Sequence, residues 1–423
     1  MFGFSPKSRL LGTLLIASSG IAAAPQTRDR PAVVSPIEEA FLQERSRLGG
    51  PSHASGARPE FGAIALSRAL SDAVPVIRVG LSPTAFSSTG AVNAEYDTAA
   101  AHNHAAVEVT GTGTFEVIDA TGSPVGVFAA PNTLRATSSG GAIALSLSGA
   151  ALGVVPGPVR IHAQEGALLV ISSMRRTNRL AAGAPLTAPP YRGVIELRLS
   201  ETDPARLRCI NELGIEEYVA GVVVNESLST FHVEALKAQA VTARGYALSS
   251  RGRFASRGFD VDDSTLSQVY RGQSSETPPA IEATVNTSTL VATREGRIIQ
   301  ALYSSSMGGH TENNEFVFPS APNYPGTNID GALRGIHDSA GPLLFDLGDE
   351  TDVAAFYSRV DLDSSEISPT SGAALTSLHR WTRTRSADEL LARLKDGSRP
   401  WGVPSLARNI RDVRTTIRGA SGR

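Results

Sequence analysis

Between Val74 and Ser200 the chain runs through short stretches in which apolar and polar residues alternate, and that pattern confines this part of it to a sheet. Val76-Ile77-Arg78-Val79, Val107-Glu108-Val109, Phe115-Glu116-Val117-Ile118, Ile143-Ala144-Leu145-Ser146-Leu147 and Leu168-Leu169-Val170-Ile171 are separated by Gly, Pro, Asn and Ser. Successive side chains point to opposite faces of a strand, so each run offers one face to a core and the other to water. A β-rich domain over 74–190, a sandwich or an open barrel, is the expected result. Cys209 is the only cysteine, so no intrachain disulfide can form and thiolate-rich metal sites are excluded by counting. Stability must come from the core, and a 41% apolar fraction over 423 residues is enough to build one. Cys209 itself, in Leu207-Arg208-Cys209-Ile210, reads as a small buried hydrophobe.

After Tyr191 the pattern changes. One more strand, Val194-Ile195-Glu196-Leu197-Arg198-Leu199, leads into a segment where Val233, Leu236, Ala240, Ala243 and Ala247 step by three and four. That spacing puts them on one face of a helix. Thr277-Pro278-Pro279 opens a second helix, with Thr as cap and Pro in the first turn. Leu290-Val291-Ala292 and Ile298 to Tyr303 flank a hairpin turn at Arg294-Glu295-Gly296-Arg297. Ser386-Ala387-Asp388-Glu389 has the form of a capping box for a late helix spanning 381–394. The fold class is therefore α+β, with a mixed core domain over 191–423 beside the β-rich accessory domain.

The N-terminus carries a different message. Lys7 and Arg9 precede an apolar run from Leu10 to Ala24 that ends in small residues. Such a run is too short to be a permanent membrane span and reads as a signal peptide over 1–24. The sequence leaves open cleavage slightly before Ala24 or retention as an anchor. Residues 25–73, rich in Ser, Gly, Arg and Pro, read as a flexible linker. Export to the periplasm, envelope or medium follows, with the membrane touched only through the signal segment. Lys+Arg 39 against Asp+Glu 41 gives no basic field, which argues against nucleic acid as partner. His102-Asn103-His104, in a loop rich in Gly, Ala and Asn, is expected to be solvated surface rather than a metal site.

The polar residues between Glu217 and Glu312 are too numerous to be packing alone, and they are expected to line a cleft. At Ile77-Arg78-Val79-Gly80-Leu81, Tyr191-Arg192-Gly193, Glu216 to Val223, Glu234-Ala235-Leu236-Lys237-Ala238-Gln239-Ala240-Val241-Thr242-Ala243-Arg244, Gln268-Val269-Tyr270-Arg271-Gly272 and Ala301 to Ser306 followed by Gly308-Gly309, the chain resembles the stage II sporulation protein D family. Several ordered blocks over roughly two thirds of the chain are more specific than any single motif. The resemblance implies an exported lytic transglycosylase that cuts peptidoglycan glycan strands, preferring strands stripped of stem peptides. It implies Glu226, in Val224-Asn225-Glu226-Ser227, as the catalytic carboxyl. Asn225 and Ser227 replace the family's usual Ser and Met. The zinc ligands that some members carry before the Gln-Val-Tyr block have no counterpart in Asp260 to Ser267, so neither metal nor other cofactor is expected. The last residues stop where members of the family continue with further strands, so the sequence reads either as a fragment or as a member lacking them.

One carboxyl group suffices for lytic cleavage. It protonates the leaving glycosidic oxygen and then takes the proton of the MurNAc 6-hydroxyl that closes onto C1, so the nucleophile belongs to the substrate. That role asks for apolar surroundings, which Val222, Val223 and Val224 would provide. Candidate substrate contacts are Gln268, Tyr270, Tyr303, Ser304, Ser306, Gly308, Gly309, His310 and Arg244. Amides, hydroxyls and tyrosine rings suit N-acetyl groups, sugar hydroxyls and sugar faces. The rival reading is a glycan-binding module that modifies a cell-wall amidase without cutting.

Overall fold

A computed structural model describes residues 64–68, 75–83, 99–164, 166–176, 187–228, 230–304, 311–317, 329–336, 349, 351–352, 354–355 and 384–395. Two compact units divide the chain: Ala65–Gln300 is one, and Met1–Ile64 with Ala301–Arg423 is the other. The signal segment read at 1–24 lies outside the described residues. No helix among the described residues is long and apolar enough to cross a membrane.

Strands β1 (Ile64–Arg68), β2 (Val76–Leu81), β3 (Val107–Gly111), β4 (Thr114–Ile118), β5 (Pro124–Ala129), β6 (Thr133–Ser139), β7 (Ala142–Leu147), β8 (Ala150–Val155), β9 (Val159–Ala163), β10 (Leu169–Ile171), β11 (Pro190–Tyr191), β12 (Val194–Leu199) and β13 (Leu207–Gly214) come first. Helices α1 (Ile215–Glu226) and α2 (Val233–Ser249), strand β14 (Val261–Asp262), helix α3 (Pro278–Asn286) and strands β15 (Leu290–Arg294) and β16 (Arg297–Ile298) follow. The fold is α+β, as the periodicities predict.

Two large sheets form, in the orders β14-β2-β13-β12-β9-β4-β5 and β11-β10-β3-β6-β7-β8. Alternate residues on their inner faces, among them Ile77, Val79, Phe115, Val117, Ile161, Ile195, Val107, Leu134, Ile143 and Leu169, are buried in one hydrophobic core. Each such side chain contributes about 1.5–3 kcal/mol by leaving water. The boundary expected at 190/191 runs through this assembly, because β12 pairs with β9 and β13 pairs with β2. A strand needs hydrogen-bonding neighbours on both edges to be buried, and here strands from either side of that point supply them to each other. The stretch read as a linker contributes β1, which joins β15 and β16 in a third sheet.

Helix α1 begins at Gly214, where the Glu217 carboxylate reaches back to the Gly214 N–H at 3.3 Å. Its Tyr218, Val219, Val222 and Val223 enter the same core as the sheets. A side chain at Gly221 would meet the Tyr270 ring at 2.8 Å, so glycine there lets that ring lie against the helix. Helix α2 starts at His232, whose ring accepts the Glu234 N–H at 3.2 Å. Leu236, Ala240, Ala243 and Ala247 of its predicted face are buried, with Val233 half-buried, and so are Gln239, Thr242 and Arg244 on other faces. Thr277 does sit at the N-cap of α3, but its hydroxyl makes no capping bond. Pro279 occupies the second helical position and has no N–H to give, which removes one of the two usual donors to a cap. In the β15–β16 hairpin both Glu295 (φ 50) and Gly296 (φ 75) are left-handed, the geometry of a tight two-residue turn.

In the other unit, the described residues include helix α4 (Asn314–Val317) and helix α5 (Ala387–Lys395). Thr311 donates its N–H to the Ile336 carbonyl at 2.9 Å, and Arg334 grips Glu315 through both guanidinium nitrogens at 2.7 and 2.9 Å. The capping box of α5 forms as predicted, with Ser386 N–H to Glu389 at 3.0 Å and Glu389 N–H to Ser386 Oγ at 3.2 Å.

Candidate functional site

Glu226 is the last residue of α1, where the helix leaves the core, and it is half-buried. Its Oε1 accepts the backbone N–H of Val269 at 2.6 Å, a short bond of the charge-assisted kind. Val222 and Val223, one turn earlier on α1, are buried.

The two neighbours that depart from the family pattern have structural work. Asn225, 1% exposed, donates from Nδ2 to the Gly221 carbonyl at 2.7 Å and to Ser275 Oγ at 2.9 Å. These bonds tie the end of α1 to the 273–275 turn. Ser227, also buried, ends the helix with its N–H on the Val223 carbonyl at 2.9 Å.

The Gln268-Val269-Tyr270 segment meets α1 along its side. The Tyr218 hydroxyl donates to Gln268 Oε1 at 3.2 Å, and the Tyr270 hydroxyl donates to Asn211 Oδ1 at 2.9 Å. Asn211 in turn gives its amide hydrogens to the carbonyls of Arg192 and Val194. The Tyr218 and Tyr270 rings lie 5.2 Å apart, tilted. Burial raises both phenols well above the ordinary tyrosine value, so they remain neutral donors. Gln268 and Tyr270 are thus buried, at 0% and 2% exposure, and their described partners lie inside the protein. Arg244 is fully buried as well. It holds Glu216 through two nitrogens at 3.0 and 2.5 Å and the Leu290 carbonyl at 2.8 Å, which binds α2 to α1 and β15. Tyr303 and Ser304 are half-buried and belong to the other compact unit. Ser306, Gly308, Gly309 and His310 lie outside the described residues.

Among the described residues, no group of three or more His, Cys, Asp or Glu is placed to hold a metal ion. The His102-Asn103-His104 loop is not the solvated surface expected. His102 and His104 are 1% and 2% exposed. Nε2 of His104 donates to the Leu81 carbonyl at 2.8 Å, and the His102 ring lies 5.2 Å from that of Phe259. His104 also bridges in backbone to Leu207, so pairing with β13 draws the loop inward. Burial, reinforced by Arg208, lowers His102 to about 3. Burial likewise lowers His104 to about 4 against the opposing Leu81 bond. Both rings are neutral at pH 7.

Asp262 and Asp263 are the charged groups whose placement the sequence does not signal. Asp263 is fully buried, receives Arg176 Nη2 at 2.7 Å, and accepts the Ser82 N–H at 3.2 Å. Asp262, 1% exposed, takes both the N–H and the hydroxyl of Ser264 on one oxygen at 2.8 and 2.7 Å. A turn of the Asp-x-Ser type was the only available hint.

Residues 204–299 match the model of the family described as Stage II sporulation protein, a narrower stretch than the spread of blocks read from the sequence. An uncharacterized protein of Brachyspira hyodysenteriae is 41% identical over 118 residues, 28% of this chain and 32% of that protein. Stage II sporulation protein D of Bacillus subtilis is 34% identical over 157 residues, 33% of this chain and 46% of that protein. The amidase enhancer of Bacillus subtilis is 41% identical over 106 residues, 25% of this chain and 14% of that protein. The chain spans less than half the length of each of these relatives.

Proposed function

We propose that this chain, whose residues 204–299 match the model of the Stage II sporulation protein family, acts on the bacterial cell wall as an exported peptidoglycan lytic transglycosylase with Glu226 as its single acid–base group. The observation that carries this reading is the setting of Glu226. A half-buried carboxyl at a helix end, with one oxygen fixed by the Val269 N–H at 2.6 Å, has a defined direction and some access to solvent. A general acid needs both. In the first step the protonated carboxyl gives its proton to the glycosidic oxygen as the bond to C1 of MurNAc breaks, so the leaving sugar departs as an alcohol. In the second, the carboxylate takes the proton of the 6-hydroxyl while that oxygen bonds to C1. The product is a 1,6-anhydro end, no water is consumed, and Glu226 ends as it began.

Gln268 and Tyr270 serve this reading from behind the site, by holding the segment that carries Val269 against α1. Arg244 acts likewise through Glu216. That Tyr303, Ser304, Ser306, Gly308, Gly309 and His310 contact sugar is kept as a proposal, on the strength of their residue types alone. A second reading is favoured by the amidase enhancer relative: a glycan-binding helper of a cell-wall amidase that does not cut.

Product analysis separates the two. Protein freed of residues 1–24 is incubated with peptidoglycan, with and without prior amidase treatment, and the fragments are weighed by mass spectrometry. Anhydro ends that appear faster after amidase treatment are the expected result. Ends with a hydroxyl at C1 would make the protein a hydrolase, and unchanged glycan would favour the helper.

A further inference from the structure

The connection from α2 to β14 is bonded to itself from end to end. Arg253 N–H goes to the Ser250 carbonyl at 3.0 Å, Ala255 N–H to Gly252 at 3.1 Å, Arg257 N–H to Phe254 at 2.8 Å and Gly258 N–H to Ala255 at 3.0 Å. The Gly252 N–H reaches Asp260 Oδ1 at 2.9 Å. Phe259 is buried, and its ring, 5.2 Å from that of Phe254, lies so close over Gly80 that a side chain there would meet it at 2.7 Å. The loop is therefore a fixed platform.

Three guanidinium groups gather on this platform. Cζ of Arg253 and of Arg257 lie 5.1 and 5.2 Å from the centre of the Phe254 ring, within range of a cation–π attraction. Gly258 is left-handed (φ 85), and a side chain there would collide with the guanidinium of Arg198 on β12. Arg198 thus rests against the backbone next to Arg257. Arg253 is exposed, and Arg198 and Arg257 are half-buried, so all three can be reached from solvent.

The carboxylates of this region are committed to other groups. Glu201, whose field Arg257 shares, is held by Arg208 at 3.0 and 2.5 Å. Asp260 takes the backbone N–H groups of Arg78 and Gly252. Among the described residues no carboxylate pairs with Arg198, Arg253 or Arg257. Like charges held this close repel one another, and an anion laid across them removes that cost.

We propose that Arg198, Arg253 and Arg257 bind an anionic polymer of the cell envelope that carries repeated phosphodiesters, such as a polyol phosphate. The guanidinium fork matches phosphate oxygens and is weakly hydrated, and three such groups spread over one loop suit a string of anions. Nucleic acid fits less well. It binds such platforms by stacking bases on open rings, and the Phe254 ring is already engaged by two arginines and Phe259. That the polymer belongs to the envelope rests on the proposed cell-wall role.

The probe is lipid-free poly(glycerol phosphate), titrated calorimetrically into the full chain at several salt concentrations. Affinity should fall steadily as salt rises. Arg198→Gln and Arg257→Gln should each weaken binding about tenfold, as loss of a charge-assisted bond does, and lower the salt slope by roughly one. Arg257→Lys should fall between Arg257→Gln and wild type, with the melting temperature unchanged in each variant. Arg160→Met lies on the same sheet, but Arg160 is already paired with Glu196 and Glu212, so its removal should leave binding at the wild-type level. Absence of binding, an equal loss in Arg160→Met, or equally tight binding of polyglutamate overturns the proposal. Tighter binding of single-stranded DNA or of phosphatidylglycerol vesicles overturns it as well, by assigning the site to another partner. None of these readouts needs turnover, so their failure leaves the cleavage reading standing, and a protein that binds the polymer but cuts no glycan sinks only that reading.

Discussion

Two polar clusters in the Ala65–Gln300 unit solve the problem of placing charge in opposite ways. On one face of the seven-stranded sheet, Arg78, Glu212, Glu196 and Arg160 form a ladder across β2, β13, β12 and β9. Strand register alone sets it, since Arg78 stands opposite Glu212 and Glu196 opposite Arg160. Arg78 reaches Glu196 at 2.7 Å and also meets Glu212, while Arg160 reaches the same two carboxylates at 2.8 and 2.5 Å. Each acid has two cations. The cluster on the segment that reaches Glu226 is built differently. Asp263 is paired with Arg176, both nearly fully buried, and Asp262 beside it keeps an oxygen bare. The ladder is redundant and partly solvated, whereas the two aspartates of the other cluster are buried. Charge that can be lost cheaply belongs to the scaffold, whereas charge held at a cost is where chemistry is to be sought.

The largest effect that tests this contrast is on turnover. Glu226→Gln keeps an acceptor for the Val269 N–H and removes only the transferable proton. A loss of ~10² to 10⁴ in the rate of anhydro-product release is expected, the usual range for a general acid–base group, with the circular dichroism and melting temperature unchanged. Retention of more than about a tenth of the wild-type rate lies outside that range and would strip Glu226 and the segment that orients it of their claim to function.

Next in size is a stability effect. Arg176→Met leaves Asp263 buried without its guanidinium, and breaking a buried pair in that way costs about 3–5 kcal/mol. Urea titration should register it, and adding Asp263→Asn should restore a large part, because the uncompensated charge is then gone. A single variant that melts like wild type would show that the buried pair is as replaceable as the ladder.

What the sequence revealed and what it withheld divide along the same line. Local periodicity exposes the strands 76–79, 107–109 and 115–118, the helix after Val233 and the Ser386 capping box, because neighbours in the chain decide those features. The choice of Glu226 as candidate acid–base group rests on ordered motif blocks, which compress long-range information into spacing. The partners of Arg244, the burial of His102 and His104, the pairing of β1 and the turn anchored on Asp262 were not legible. Each depends on residues tens of positions away: Glu216 for Arg244, Leu81 for His104, β15 for β1. Gln268 and Tyr270 show the cost of the missing distances. As residue types they suit a sugar, yet Tyr218 and Asn211 take them into the interior.

The smallest effect is expected at the ladder itself, and it sharpens the contrast. Arg160→Met removes one of two cations from Glu196 and Glu212 and leaves Arg78 in contact with both. Arg160 and Glu212 are partly solvated, at 30% and 22%, so solvent screens much of their attraction, while the buried Glu196 keeps Arg78. A loss of roughly 0–1 kcal/mol is expected, shrinking further when salt is raised toward 1 M. The acid side adds a sign. Burial opposes ionisation of Glu212, but the bonds from Arg160 and Arg78 outweigh it and hold the carboxyl below its ordinary 4.5. A depressed carboxyl contributes stability that is present above its unfolded value and fades as pH falls through the folded one. The gap between wild type and Arg160→Met should therefore shrink as pH falls below the ordinary 4.5 and close once Glu212 is neutral in both proteins. A salt-insensitive loss of several kcal/mol that persists in acid would mean that the ladder is no more redundant than the buried pair, and that solvation does not mark the difference between scaffold and site.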